Sequence, residues 1–351
     1  MTALPSVRRS PALTRLTLAV ALALGSAGVQ AQSLVELYEA ARGYDTALQS
    51  ARAQYDASVA KADQAKAGLR PQAGLGAGAN WINSRNDVTD SGRTSNTQNV
   101  TLSASQPLYR PVNRFSDEQG QLSIAIAQAQ LDAAEQDLMV RTAQAYFDVL
   151  AAQDTLTFVQ AQKTAVAEQL AAAKRNFEVG TTTVTDSREA QARYDLVLAQ
   201  EIAASNDLRV KKLALDQLVG RTNASPKPLT APVALPTVQP ADPEPWVTEA
   251  QRQHPLVRQA DKAFEIAEIE VQKAQAGHKP TLDLVGQYQI ARGPNSNFPT
   301  AGNVRTNNAS IGVQFNLPLY AGNAIENRVK ETLALVEKSR ADRETALRNI
   351  A

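Results

Sequence analysis

The stretch Val100-Thr101-Leu102-Ser103-Ala104-Ser105-Gln106-Pro107-Leu108-Tyr109 has a counterpart in Ile311-Gly312-Val313-Gln314-Phe315-Asn316-Leu317-Pro318-Leu319-Tyr320. Both alternate apolar with small or polar residues, the two-residue period of a strand, and both close on the same Pro-Leu-Tyr. Further matches lie outward at the same spacing of about 210 residues, which marks one structural unit used twice. Glu39-Ala40 and Arg42 recur as Glu249-Ala250 and Arg252, and Pro71 recurs as Pro280. Each copy also carries an earlier alternating run. In the first, Leu75, Ala77, Ala79 and Trp81 alternate with Gly74, Gly76, Gly78 and Asn80; in the second, Leu282, Leu284, Tyr288 and Ile290 share one face. Ile311, Val313, Phe315, Leu317 and Leu319 share a face of the run that follows. A polar loop from Asn83 to about Thr97 separates the first two runs, and a loop rich in Gly, Asn and Pro separates the second two. Runs of about ten residues around a polar loop have the length of tilted strands crossing a bilayer.

The rest of the mature chain reads as helix. One helical region runs from about Ser33 to Gly68, broken near Gly43, and ends before Pro71, because a proline disfavours helix at the residue before it. From Val112 to Phe177 there is no proline, and Ile124, Leu131, Leu138, Ala145, Ala152, Val159, Val166 and Ala173 fall every seventh residue. That repeat predicts coiled-coil packing, with alanine permitting close approach, on a helix roughly 100 Å long at ~1.5 Å per residue. Gly180 is placed to cap it. A second helix starts near Val184, carries Tyr194, Val197, Leu208, Leu215 and Leu218, and runs to about Gly220. The short turn makes the two antiparallel neighbours. Seven prolines between Ser225 and Pro245 predict an extended connector. Helical segments follow at Trp246–Gln253, Pro255–Gly277 and from about Asn323 to Ala351.

Composition narrows the function classes. Aromatic residues make up only 5% of the chain, and the formal net charge of +1 offers no concentrated basic face for nucleic acid. Arg8, Arg9 and Arg15 precede an apolar run from Leu16 to Leu24 and a small-residue cleavage site at Val29-Gln30-Ala31, the pattern of a secretory signal. With no cysteine there is no disulfide, thiolate nucleophile or lipidated cysteine. His254 and His278 are the only histidines, each at a predicted helix end and without a second ligand at metal spacing. No metal, cofactor or enzymatic activity is expected.

The domain plan is a signal peptide at 1–31, a first structural repeat at 32–220, a Pro-rich linker at 221–245 and a second, incomplete repeat at 246–351. Four strands cannot close in lipid, where every open edge leaves backbone groups unsatisfied. Other copies must complete them, and twelve strands from three chains leave room for a channel where eight do not. The fold class expected is mainly α with a small β part: long antiparallel coiled-coil helical hairpins plus four membrane strands contributing to a trimeric 12-stranded β-barrel.

The layout resembles the TolC-like outer-membrane channels of tripartite efflux pumps and type I secretion systems. The resemblance is carried by Ala145-Tyr146-Phe147-Asp148-Val149-Leu150, by Phe177-x-Val179-Gly180 followed by Thr185-Asp186, and by Ala192-Arg193-Tyr194-Asp195. Gly277-His278-x-Pro280-Thr281-Leu282 and Leu317-Pro318-Leu319-Tyr320 extend it along the duplicated frame. It implies a homotrimer in the outer membrane of a Gram-negative bacterium, extending into the periplasm to meet a periplasmic adaptor protein and an inner-membrane transporter. It further implies that Phe177, Val179, Gly180 and Thr181 form the adaptor-docking hairpin tip, and that Thr185 and Asp186 help to hold the entrance closed. Simpler roles stand beside these. Thr and Asp suit a helix start, Phe177 keeps the seam spacing, and Trp81 and Tyr288 are either a membrane-interface girdle or ordinary packing. The alternative function is a periplasmic coiled-coil adaptor or scaffold protein. Because Ala351 corresponds to Val140, the second hairpin is expected to be cut short and its gate residues missing, so that this form is not a working gated channel. Drugs, metals and secreted proteins all remain open as cargo.

Overall fold

The computed structural model describes residues 31–86, 91–230, 237–294 and 303–351; the signal peptide expected at 1–31 lies, up to residue 30, outside them. Helix α1 (Leu34–Tyr44) opens on a capping box, in which the Ser33 hydroxyl accepts from Glu36 N–H at 3.2 Å and the Glu36 carboxylate accepts from Ser33 N–H at 2.9 Å. It is separated from α2 (Thr46–Ala67) at Asp45, not at Gly43. Asp45 ends one helix through its N–H to Ala41 O and starts the next by accepting Leu48 N–H at 2.8 Å. A short carboxylate that satisfies a free N–H at a helix start makes the break there.

After a turn at Gly68-Leu69-Arg70 come β1 (Gln72–Asn86) and β2 (Ser91–Tyr109). Then follow α3 (Pro111–Glu178), α4 (Val184–Val219), α5 (Glu244–Gln253), α6 (Pro255–Gln275) with a 3-10 turn at Ala276–His278, β3 (Thr281–Pro294), β4 (Asn303–Asn316) and α7 (Ala324–Ile350). Pro111 begins α3 at a position whose N–H would have no helical partner anyway. The strands are longer than the alternation suggests, at 15, 19, 14 and 14 residues, so much of the expected Asn83–Thr97 loop is paired strand. A backbone ladder can continue into polar sequence, where apolar alternation no longer marks it. Leu317 and Leu319, read as strand, lie past the end of β4.

The four strands form one antiparallel sheet in the order β1-β2-β3-β4. Its register aligns Leu75 with Leu102, Tyr288 and Ala309, and Ala77 with Val100, Ile290 and Asn307. Neighbouring rows join Ala73, Ala104, Gly286 and Ile311, then Gln106, Leu284 and Val313, then Leu282 and Phe315. One face is therefore largely apolar. The opposite face aligns Gly74, Ser103, Gln287 and Ser310, and Gly76, Thr101, Gln289 and Asn308, all small or uncharged polar residues.

The chain divides into two compact units, residues 1–49 with 135–237, and residues 50–134 with 238–351. In the first, Leu37, Leu48, Leu138, Val149, Val197, Leu215 and Val219 are buried. Burying each such side chain contributes roughly 1.5–3 kcal/mol. Gly220 closes α4 in the left-handed conformation at φ +66°, and its bare Cα lies against the Tyr44 ring. The start of the predicted connector is held in place. Gln32 forms a parallel bridge with Pro226, and the Tyr146 hydroxyl donates to Lys227 O at 2.7 Å. In the second unit many of the buried residues are small, Ala62, Ala127, Ala129, Ala274 and Ala276 among them. Gly120 lets α3 approach α2 so closely that an added Cβ would sit 3.1 Å from Ala62 Cα.

Candidate functional site

The residues to which the resemblance gives a role lie together where α3 ends and α4 begins: Phe177 in the last turn of α3, Val179, Gly180 and Thr181 in the connection, and Thr185 and Asp186 in the first turn of α4. None of the eight seam positions from Ile124 to Ala173 is exposed, so the heptad packs as its spacing predicts. Thr142, Val149 and Leu170 are buried on a second row, and Phe177 stands one heptad beyond Leu170 on that row. There the row ends, and Phe177 is 44% exposed.

Helix α3 stops in a Schellman arrangement. Gly180 is left-handed at φ +77°, its N–H donates to Phe177 O at 3.0 Å, and Thr181 N–H donates to Asn176 O at 2.9 Å. The Thr181 hydroxyl donates to the same carbonyl at 2.9 Å. These bonds satisfy the carbonyls at the helix end and turn the chain, leaving Val179 72% exposed at the bend. Among the described residues, nothing lies within 4 Å of where a Gly180 Cβ would stand. The Thr182 hydroxyl oxygen is buried without a hydrogen-bond partner among those residues.

Helix α4 begins with a second capping box. The Thr183 hydroxyl accepts from Asp186 N–H at 3.2 Å, and Asp186 Oδ2 accepts from Thr183 N–H at 2.9 Å and from the Thr183 hydroxyl at 2.8 Å. The capping hydroxyl is thus that of Thr183, whereas Thr185 is exposed in the first turn. The signal was present in Thr183-Val184-Thr185-Asp186, a hydroxyl three residues ahead of a carboxylate. Hydrogen bonds from the Thr183 backbone and side chain hold the Asp186 carboxyl below the ordinary aspartate value of 3.8. Both bonds fall on Oδ2, so Oδ1 takes no part in the cap. Behind the tip, Val166 and Gln169 of α3 and Asp186, Glu189, Ala190 and Arg193 of α4 line a shallow depression of about 240 Å³.

Ion pairs fix the register of the two helices. Lys163 meets Glu201 at 2.5 Å and Lys211 meets Asp148 at 2.9 Å. The run from Ala145 to Leu150 is anchored at several points, with Tyr146, Val149 and Leu150 buried and Asp148 paired. At the tip, the exposed apolar side chains of Phe177, Val179 and Val184 stand near the Asp186 carboxylate and the threonine hydroxyls. Among the described residues no group of three or more His, Cys, Asp or Glu is placed to hold a metal. His254 instead caps α6, its Nδ1 accepting from Leu256 N–H at 3.2 Å.

The sheet is the second functional surface. Several of its apolar side chains are bare, with Leu75 74%, Trp81 80% and Ile311 81% exposed, while Leu282 and Ile290 are half-buried. Trp81 and Tyr288 fall on that same face, Trp81 near the loop end and Tyr288 in the middle rows. No helix of the described residues is long and apolar enough to cross a membrane.

Comparison with known proteins matches this architecture. The profile of the outer membrane efflux protein family covers residues 37–221 and 246–351. The outer membrane protein TolC of Vibrio cholerae is 34% identical over 337 residues, which span 95% of this chain and 76% of the relative. TolC of Escherichia coli K12 is 31% identical over 86% of this chain, but the match spans only 62% of its own length. Among solved structures, the outer membrane protein VceC of Vibrio cholerae superposes with a TM-score of 0.72 at 20% identity, over 90% of this chain and 75% of that one. This chain is an outer-membrane protein and belongs to the outer membrane efflux protein family.

Proposed function

We propose that the chain is one wall segment of an outer-membrane exit duct for efflux or type I secretion, closed by three copies. The observation that carries this is the sheet. It has an apolar face on which Leu75, Trp81, Val100, Tyr288 and Ile311 are exposed, an opposite face of small and polar residues, and outer edges on β1 and β4 that are unpaired among the described residues. Only lipid on one side and water on the other suits such a sheet, and in lipid each unpaired edge group costs several kcal/mol. Neighbouring copies remove the edges. Three sheets give twelve strands, enough for an aqueous lumen lined by Gly74, Gly76, Ser103, Thr101, Gln287 and Asn308.

The apolar rows from Leu282–Phe315 to Val100–Ile290 extend roughly 26 Å along the strands at ~3.3 Å per residue. At a tilt of about 40° that is roughly 20 Å along the membrane normal, comparable to the ~25 Å apolar band of membrane barrels. The duplicated frame, a first repeat at 32–220 and a second at 246–351 joined by 221–245, supplies two strands per repeat. On the periplasmic side Phe177, Val179, Gly180 and Thr181 dock an adaptor protein that links the duct to an inner-membrane transporter. Thr185 and Asp186, with the Asp186 Oδ1 unused by the cap, join a neighbouring hairpin to close the entrance.

The test is fractionation of cells expressing the chain, followed by electrophoresis with and without heating. An outer-membrane species that migrates as an oligomer until boiled is expected. Release of a monomer by osmotic shock would overturn the duct and favour a periplasmic scaffold.

A further inference from the structure

Arg292 on β3 and Arg305 on β4 are direct cross-strand partners, in one row with Ala79 and Gln98. The row lies just beyond Ala77, Val100 and Ile290 on the side away from the helices, with Trp81 of β1 one same-face row farther out. Like charges placed directly opposite in an antiparallel pair destabilise it. Both side chains are exposed, and neither has a carboxylate partner among the described residues. Elsewhere in the same unit Arg110, Arg258, Arg328 and Arg343 each meet a carboxylate from another element. Beside the two guanidiniums lies a shallow depression of about 590 Å³, lined in part by Ala77, Ala79, Val100 and Ile290.

We propose that Arg292 and Arg305 clamp the phosphate of an acylated, phosphorylated glycolipid of the outer leaflet, whose chains lie over Ala77, Val100 and Ile290. The clamp rests on the barrel proposed above, which puts this row at the outer edge of the apolar band, level with lipid headgroups. A phosphate between the guanidiniums relieves their repulsion, and the guanidinium fork matches its oxygens. An exposed arginine pair alone holds a free anion weakly in salt. Acyl contact with the adjoining depression adds what the charges lack, so a lipid is the occupant favoured over a free ion.

The test uses the full chain in vesicles of phosphatidylethanolamine doped with diphosphorylated lipid A or with the same lipid stripped of phosphate. After mild detergent extraction, retained lipid is measured by native mass spectrometry. Retention of the phosphorylated form is expected to exceed that of the stripped form about tenfold, equivalent to ~1.4 kcal/mol. The double variant R292Q/R305Q should lose that preference, and R292K/R305K should keep part of it. Equal retention of the two lipids, or a preference unchanged in R292Q/R305Q, overturns the clamp. So does displacement of the lipid by inorganic phosphate at matched ionic strength, which would indicate a free-anion site. If R292Q/R305Q fails to assemble, the two-lipid comparison on the unaltered chain decides. Heat-modifiable outer-membrane recovery is scored in parallel on cells expressing the chain. Recovery without lipid preference sinks the clamp alone, whereas absence from the outer membrane sinks the duct as well.

Discussion

Asp45 and Asp186 each start a helix, in different surroundings. Asp45 is buried and also meets Arg141 at 3.0 Å, while Asp186 is exposed at the hairpin tip. The Arg141 guanidinium holds the Asp45 carboxyl below its ordinary value of 3.8, with Leu48 N–H acting in the same direction against desolvation. A carboxyl depressed in the folded state contributes stability that is complete above 3.8 and lost as pH falls through the folded value. Asp45→Ala is therefore expected to cost about 1–2 kcal/mol at neutral pH, discounted for the partly exposed arginine. Urea unfolding followed by circular dichroism should show that difference shrink as the pH is taken below 3.8. At Gly220 the constraint is steric. A side chain there must adopt φ +66° and run into the Tyr44 ring, so Gly220→Ala should cost about 2–3 kcal/mol in the same measurement. Gly180 and Gly220 were legible as helix ends, because glycine is the residue that accepts a left-handed cap. Asp45 and Gly43 were not separable in the same way, since both suit a break and only the bond to Leu48 N–H decides.

At the scale of elements, the ends of α3 were legible to within a residue because no proline interrupts Val112–Phe177 and a capping glycine follows, while the seven-residue repeat from Ile124 to Ala173 marked it as one long packed helix. The strands were harder. Their apolar cores were legible, yet the polar extensions of β1 and β2 were not, since Ser and Asn residues fit a ladder in water as well as a loop. Which residues of α4 turn away from solvent was legible from Tyr194, Val197, Leu208, Leu215 and Leu218, none of which is exposed. The ion pairs that set the register were not, because each joins residues far apart in sequence. The Lys163–Glu201 pair gives a test of that register. Lys163→Glu places two carboxylates together and should destabilise the hairpin by about 1 kcal/mol, and the exchange K163E/E201K should recover most of the loss. Recovery would be read as a return of the thermal midpoint; no recovery would place the two side chains apart.

For the whole molecule, the outstanding demand is the pair of edges on β1 and β4, unpaired among the described residues. The strand count was readable from the alternating runs and implied the need for neighbours, but it did not say which strands stand outermost; the order β1-β2-β3-β4 supplies that. If three copies close the barrel, β4 of one copy pairs with β1 of the next in every interface. The absence of cysteine makes this directly testable. Leu75→Cys on β1 is combined in turn with Ala309→Cys, Ile311→Cys and Val313→Cys on β4, positions on the same face of the sheet. A disulfide needs Cα atoms within about 7 Å, so one register of the pairing should cross-link and the others should not. The reactive double variant should yield covalent dimers and trimers on a non-reducing gel, with the trimer the largest species because the ring is then closed. Each single variant should stay monomeric on that gel, since an interface between unlike edges never brings two copies of the same strand together. Cross-linking by Leu75→Cys alone would require β1 to meet β1, a two-fold contact that cannot propagate around a three-membered ring.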